Sequence, residues 1–360
     1  MESEIFEIPK RNDQSFFEGV ADVLSQAQER AHTAINAAMV SAYYEIGRRI
    51  IEQEQHGKNR AAYGKQIIKG LSAYLTERFG KGFSVGNLKN IRQFYKVYSQ
   101  EQIGETVFRQ SGGLPSVTGE RQFVLSWSHY LFLMRIDNPA ERQFYEIESA
   151  RNHWSLREMK RQFGSALYER LALSTDKSKV AELAKNGQIV EHPSDLIKDP
   201  YVLEFLGLPE LPVYSESTLE SRIIDHLQDF LMEMGKGFTF VGRQVRFTFD
   251  EEHFRVDLVL YNRLLRCFVL VDLKIGKLKH QDLGQMQMYV NYYDRYEKTK
   301  EENPTIGILL CNEKSDQMVE LTLPEDSNIY ASKYQLYLPD KKLLQEKLLQ
   351  WLEEEENAVE

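Results

Sequence analysis

Residues 254–276, FRVDLVLYNRLLRCFVLVDLKIG, constrain this chain more tightly than any other stretch. Two runs rich in apolar and β-branched residues flank a short polar connection, the pattern of a buried hairpin. Three charges interrupt it, at Asp257, Asp272 and Lys274. Residues two apart share a strand face, so Phe268, Leu270, Asp272 and Lys274 line one side while Cys267, Val269, Val271 and Leu273 line the other. An even-numbered connection centred between Leu264 and Leu265 then places Asp257 directly across from Asp272. Facing carboxylates repel unless a cation lies between them, and a divalent metal meets that need. The alternative pairs each aspartate with an arginine, such as Arg255 or Arg266, on a wet face of the sheet. A central hairpin makes an unpaired carboxylate costly and weighs against it.

The chemistry of such a set is specific. Mg2+, or Mn2+ in its place, takes hard oxygen ligands and commonly binds through one or two carboxylates while keeping several waters. A neighbouring lysine can orient or help deprotonate one of those waters, or stabilise charge on a phosphate. Cys267 and Cys311 both sit in apolar β-like runs, which suits reduced, buried thiols, so a metal here would be held by oxygen. These are the parts needed to cleave a phosphodiester.

At 360 residues, with 42% hydrophobic content, the chain has room for two or three domains with sizeable cores. No run reaches the ~20 apolar residues of a membrane span, and the start MESEIFEIPKRNDQSFF lacks signal-peptide order, leaving the cytoplasm as the default expectation. Residues 16–173 carry apolar positions at three- and four-residue spacing, which predicts an all-helical domain over 1–175. The stretch 176–215 loses that period, contains four prolines and reads as a linker. From about Ser217 the expected order is a helix to Met234, strands near 238–249, 254–262 and 267–274, a helix near 280–297, then strands at TIGILLC and YASKYQLYL. A final helix leads to an acidic, fraying tail over 346–360. The fold class is thus an N-terminal helical domain followed by an αβββαβ domain over 216–345.

Asp257 and Asp272-Leu273-Lys274, in that strand order, resemble the PD-(D/E)xK nuclease signature, and the αβββαβ order resembles the restriction-endonuclease-like core. Val256 stands where that signature often has proline, and the second acid is Asp rather than the commoner Glu. The stretches LESRIIDHLQDFLMEMGKGFTFVGRQVRF, RLLRCFVLVDLKIGKLKHQDLGQMQMYVNYYD, LSWSHYLFLMRI and FYEIESARNHWSLREMKRQF together resemble the bacterial nuclease family formerly called domain of unknown function 1016. That family pairs a helical, winged-helix-like module proposed to bind DNA with a C-terminal PD-(D/E)xK domain. The resemblance spans about residues 20–340. It implies Asp257 and Asp272 as metal ligands, Lys274 as the residue acting on water, and DNA as the partner. It leaves a homodimer open.

The resemblance also draws in Glu220, which in many such nucleases adds a metal or water contact from the first core helix. Ser217-Thr218-Leu219-Glu220 equally fits a capping box, a purely structural role. Gln285, in GQMQMYVNYY, is either a positioner of water or phosphate, as in the family, or an exposed helical glutamine. Lys277, Lys279 and His280 follow the catalytic strand, where they meet backbone phosphates or form a solvated loop. Arg243 and Gln244 in FVGRQVRF are expected on the first strand near the cleft; alternation would place Val241, Arg243 and Val245 on one face, with Arg243 paired with an acid or close to substrate.

Charge divides the chain. Residues 1–180 hold 25 basic against 21 acidic residues, and residues 181–360 hold 20 against 33. Between Gly47 and Lys96 lie eleven basic residues and three acids. Within that stretch KGFSVGNLKNIRQFYKVY predicts a helix starting at Ser84 with Leu88, Ile91, Tyr95 and Tyr98 buried, and Asn87, Lys89, Asn90, Arg92, Gln93 and Lys96 on its other faces. Those residue types reach bases and phosphates from a helix in the major groove, and the preceding helix with its GKGF connection resembles a helix-turn-helix. The reading is a Mg2+-dependent nuclease acting on DNA in recombination, repair or defence. Its rival is a non-catalytic DNA-binding or scaffold subunit of a larger complex.

Overall fold

The computed structural model describes residues 11–55, 60–101, 122–174, 177–209, 214–249, 251–324 and 326–359. The chain divides into two compact units, Met1–Leu156 and Arg157–Glu360. Among the described residues, no helix is long and apolar enough to cross a membrane.

In the first unit α1 (Arg11–Gln55), α2 (Arg60–Phe79), α3 (Val85–Glu101), α4 (Trp127–Leu133) and α5 (Pro139–Arg151) are all helical. Ile50, Ile68, Leu88 and Ile91 form a core between α1, α2 and α3. The approach of α1 to α3 depends on Gly47, because a Cβ there would meet the Ile91 carbonyl oxygen at 2.5 Å. Beside it lies an aromatic cluster centred on Phe94, whose ring contacts Tyr98, Phe123, Trp127 and Tyr130 at 4.9–5.3 Å. The buried stripe of α3 is Leu88, Ile91, Phe94 and Tyr98, with Tyr95 only half-buried, so the expected stripe is one residue out at its centre.

The second unit begins with the remainder of α6 (Leu156–Gly164), then α7 (Leu167–Leu173) and α8 (Lys177–Asn186). Residues 177–208 are not a loose linker. Leu196, Tyr201, Leu203 and Leu206 are fully or almost fully buried in a main core, and β1 (Tyr201–Val202) pairs in parallel with β6 (Ile329–Gln335). Their apolar residues anchor an irregular backbone and so carry no period to read. The helix expected over 217–234 is two, α9 (Glu216–Asp225) and α10 (Leu227–Met234), joined at His226. Strands β2 (Phe238–Phe249), β3 (Glu252–Asn262) and β4 (Cys267–Lys277) run antiparallel, and β5 (Ile306–Glu313) and β6 add in parallel. The six strands lie in the order β1-β6-β5-β4-β3-β2. Helix α12 (Asp316–Thr322), unexpected from the sequence, lies between β5 and β6, and α13 (Lys341–Val359) is helical through the segment expected to fray.

Both faces of the sheet are covered, which explains the unbroken apolar runs of β4 and β5. On one face Leu219, Ile223, Phe230 and Met234 of α9 and α10 pack with Leu258, Leu260, Val269, Val271 and Ile308. On the other, Leu283, Met286, Tyr289 and Val290 of α11 (His280–Tyr292) pack with Val259, Leu270, Leu309 and Cys311. Gly307 lets α11 sit close, since a Cβ there would lie 2.7 Å from Met286 Cγ. Both cysteines are buried and free.

A buried ion pair ties α7 to this core. Arg170 Nη1 lies 2.6 Å from Glu233 Oε1, and both side chains are fully buried. Glu233 also accepts from the Val202 amide, while Arg170 donates to the carbonyl oxygens of Ser165 and Pro200. Burial pushes the Glu233 carboxyl upward, but Arg170 and Lys198 outweigh it and hold it below the ordinary value. Removing one partner strands the other charge in the interior. Arg170→Met is therefore expected to destabilise the second unit by about 3–5 kcal/mol, read as a lowered urea midpoint of the full chain with an unchanged slope.

Candidate active site

The site lies where β3 and β4 part. Their ladder runs from Asn262↔Cys267 to Leu258↔Val271, which is the register expected from the even connection, and no pair follows. Beyond it the Leu273 amide, freed from strand pairing, donates to Asp257 Oδ2 at 2.8 Å. A side-chain carboxylate thus takes the place of a backbone partner, satisfying a donor that burial would otherwise leave costly.

Strand β3 is irregular at that point. Val256 and Val259 both join the α11-side core while Leu258 and Leu260 join the other, so the two-residue alternation slips beside Asp257. Opposite, β2 carries a register shift between Phe240 and Gly242, and Gln244 adopts a left-handed φ of 48°. These distortions break the alternation expected for FVGRQVRF: Val245 packs in the α11-side core, Val241 is exposed, and Arg243 is exposed. They also aim the Gln244 carboxamide inward. Its Nε2 donates to Asp257 Oδ1 at 2.9 Å and to Glu220 Oε2 at 2.8 Å, one hydrogen to each acid.

Glu220 does not cap α9. Ser215 is the N-cap, its side chain accepting from the Thr218 amide, which places Glu220 a full turn inside the helix. Burial is the main cause that raises its carboxyl above the ordinary value, with Asp257 adding to it and Gln244 opposing. The sequence places Gln244 with Arg243 on the first strand near the cleft, but no sequence signal marks it as the bridge between two acids.

Asp272 and Lys274 lie two apart on β4, with Lys274 Nζ 2.8 Å from Asp272 Oδ2. That oxygen is buried and has no well-formed hydrogen-bond partner, so it retains acceptor capacity toward a further cation. Burial, then the charge of Asp257, push the Asp272 carboxyl up from 3.8 to about 7, with Lys274 opposing. Burial works against the Lys274 ammonium, yet the Asp272 charge outweighs it and keeps the lysine more firmly protonated than usual. Gln285 donates to the hydroxyl of Tyr289, itself raised by burial and by Asp272.

Among the described residues, no three His, Cys, Asp or Glu side chains are gathered closely enough to enclose an ion. The set expected as metal ligands, Asp257, Asp272 and Glu220, is therefore not assembled as a triad: Glu220 reaches Asp257 through Gln244. The two aspartates, with a buried Asp272 oxygen met only by the Lys274 ammonium and a carboxyl raised by burial and by the Asp257 charge, still fit a hard divalent cation that brings its own waters. Lys277, the last residue of β4, and Lys279 beyond it are exposed, and the Lys279 amide donates to Asp282 at the start of α11.

The basic helices of the first unit are partly committed internally. Asn87 accepts from Trp127 Nε1 and donates to the Gly82 carbonyl, and Arg92 pairs with Glu54 at 2.8 Å. Both side chains hold helices together, a structural use not expected from the sequence. Arg48 and Arg49 pair with Glu45. Lys89, Asn90, Gln93 and Lys96 remain exposed on α3, with Lys69, Arg78 and Lys81 nearby in sequence. Lys58 lies outside the described residues, as do the side chains of Arg60 and Lys65.

A mixed sheet covered by helices on both faces, with Asp257 and Asp272-Leu273-Lys274 at the parting of its central strands, defines a PDDEXK-type nuclease domain. The chain matches the YhcG PDDEXK nuclease domain over residues 194–349 and the DUF1016 N-terminal domain over residues 19–170. It is 40% identical over 352 residues, 93% of each chain, to the Escherichia coli (strain K12) protein described as "Putative nuclease YhcG". The chain belongs to this YhcG family of PDDEXK nuclease-domain proteins. Among solved structures, a repair endonuclease from Pyrococcus abyssi matches 36% of this chain and 50% of its own at 18% identity and a TM-score of 0.24. A structure of an EndoMS–dsDNA complex matches 37% and 48% at 18% identity and a TM-score of 0.26. Likenesses this low support no inference about substrate.

The raised Asp272 carboxyl has a signed consequence for the metal-free protein. Between 3.8 and about 7 the folded state holds a proton that the unfolded state has released, so this group's contribution to stability falls as pH rises through that window. Asp272→Asn removes the slope. Its stability relative to wild type is expected to improve as pH rises from about 4 to about 7, measured by denaturant unfolding in EDTA at each pH.

Proposed function

We propose that this protein is a Mg2+-dependent nuclease that hydrolyses DNA phosphodiester bonds at the Asp257–Asp272–Lys274 site. The observation that carries the reading is the pair of carboxylates at the parting of β3 and β4, one bound to the Leu273 amide and the other beside Lys274. Asp257 and Asp272 would hold the cation. When bound, such an ion supplies Lewis-acid polarisation of a phosphoryl oxygen and a water of lowered pKa. Lys274, held protonated by Asp272, orients the attacking water and faces the charge that builds on the phosphate. Gln244 fixes Asp257 and Glu220 in place, and Gln285 with Tyr289 supports the α11 side of the site. Mn2+ has the same oxygen preference and serves as the alternative ion. Recombination, repair and defence against foreign DNA are the processes that suit this chemistry.

Purified full-length protein with Mg2+ or Mn2+ is expected to cut linear, supercoiled or branched DNA, with Asp272→Ala and Lys274→Ala each lowering the rate at least a hundredfold, within the range set by loss of an electrostatic stabiliser. Absence of cleavage across a panel of DNA and RNA substrates, with DNA binding intact, would support the scaffold reading instead.

The helical unit is proposed to deliver DNA through the exposed residues of α3. Lys89→Ala/Lys96→Ala in the full chain is expected to weaken binding to unrelated sequences alike. It should reduce the slope of log affinity against log salt by about 2, because each phosphate contact contributes about 0.9. An unchanged slope would exclude this helix face as the phosphate-contacting surface.

A further inference from the structure

A groove of about 310 Å³ lies between the end of β2 and the outer face of α11. Gly284, Gln287, Met288, Asn291, Tyr292, Arg295 and Tyr296 line it from the helix, and Phe247 and Phe249 from the strand. The helical residues recur at three and four, so one continuous stripe faces the groove. Gln285 and Tyr289, on the adjoining face, connect it to the catalytic side chains: Phe247 meets Tyr289 edge-on at 5.5 Å, and Gln285 donates to the Tyr289 hydroxyl.

Its walls combine two chemistries. Phe254, Phe247 and Tyr292 form a stacked column, with ring centroids 5.5 and 4.0 Å apart and interplanar angles of 28° and 21°. Tyr296 meets Tyr292 at 5.1 Å with its ring tilted by 49° and is 60% exposed, and Phe249, which also lines the groove, is 53% exposed, so the groove presents open aromatic rings. Beside them, the side chains of Gln287, Asn291 and Arg295 carry no hydrogen bond or ion pair among the described residues. The helix changes to a π-helical turn over Tyr293–Glu297, where Arg295 and Tyr296 sit, an irregularity frequent at functional sites. Gly284 contributes no side chain, and a Cβ there would meet nothing within 4 Å, which leaves that part of the groove open.

An apolar peptide would leave two amides and a guanidinium unanswered, and a duplex hides its base faces in its own stack. A flat heteroaromatic ring with polar edges and an attached phosphate answers all three. We propose that this groove receives an unpaired nucleobase of the strand being cut. The base stacks on Tyr296, its edge meets the amides of Gln287 and Asn291, and its backbone phosphate meets Arg295. This deepens the nuclease reading and rests on it for the identity of the polymer: it makes the favoured substrate one with a single-stranded or unpaired segment next to the scissile bond.

The test uses the full-length protein in EDTA, so that binding is read without cleavage. The probes are a fluorescein-labelled single strand, the blunt duplex of the same sequence, and a single strand carrying 2-aminopurine. On the wild type, 2-aminopurine fluorescence should fall as the base stacks. Tyr296→Ala should weaken single-strand binding about tenfold, equivalent to about 1.4 kcal/mol, restore the fluorescence and leave duplex affinity unchanged. Tyr296→Phe should behave as wild type. Arg295→Gln should weaken single-strand binding and lower its salt dependence. The proposal is overturned if Tyr296→Ala weakens single strand and duplex alike, if 2-aminopurine does not respond, or if the wild type binds no single strand. A protein that passes these tests yet cuts nothing with Mg2+ would refute the catalytic reading alone.

Discussion

The site depends on a single substitution of partners, a carboxylate for a strand. The β3–β4 ladder stops at Leu258↔Val271, and the next free donor of β4, the Leu273 amide, goes to Asp257. Had the ladder continued, the aspartates would be pressed together inside a closed sheet, where the two could not both stay ionised. The parting gives Asp257 two fixed donors, Leu273 N–H and the Gln244 amide, and leaves the charge cost on Asp272. Asp257 is thereby held by two hydrogen-bond donors while the Asp272 carboxyl is raised by burial. A carboxyl raised by burial beside a second acid is typical of sites that do chemistry.

The rest of the second unit keeps that opening in place. Helices on both faces bury the central strands β4 and β5, and the buried Arg170–Glu233 pair fastens α7 and β1 to α10. Glu233 and Asp272 are both buried acids with opposite shifts, because Glu233 faces three cations, Arg170, Lys198 and Arg161, and Asp272 faces one cation and one anion. The first holds structure together. The second is a charge deficit that the fold tolerates.

Much of the sheet was legible in the sequence because its signals are local. Strand parity and an even connection were enough to set the hairpin register, and continuous apolar runs marked β4 and β5. What was hidden depends on distant partners. Ser217 and Glu220 satisfy a capping pattern, but Ser215 starts the helix two residues earlier, and no local rule chooses between the serines. Asn87 and Arg92 look like DNA-contacting residues by type, and only the folded positions of Trp127 and Glu54 reveal their structural use. Residues 177–208 seemed a linker since their buried side chains follow no helical or strand period. Phe94 was missed because Phe94 and Tyr95 both fit the three- and four-residue spacing of α3, and only the aromatic cluster drawn from α1, α3, α4 and Phe123 decides which of them is buried.

Gln244 shows how narrowly such a site can be specified. Its left-handed backbone favours glycine, asparagine or aspartate, while its bridge to Glu220 and Asp257 needs a neutral carboxamide of glutamine's reach. Glycine would relax the backbone and empty the bridge, asparagine would fall one methylene short, and aspartate would add a third anion. The residue the backbone prefers and the residue the acids require are different. A search for stability alone would therefore discard glutamine here, and the strain at this position marks where the chain favours its site over its own ease of folding.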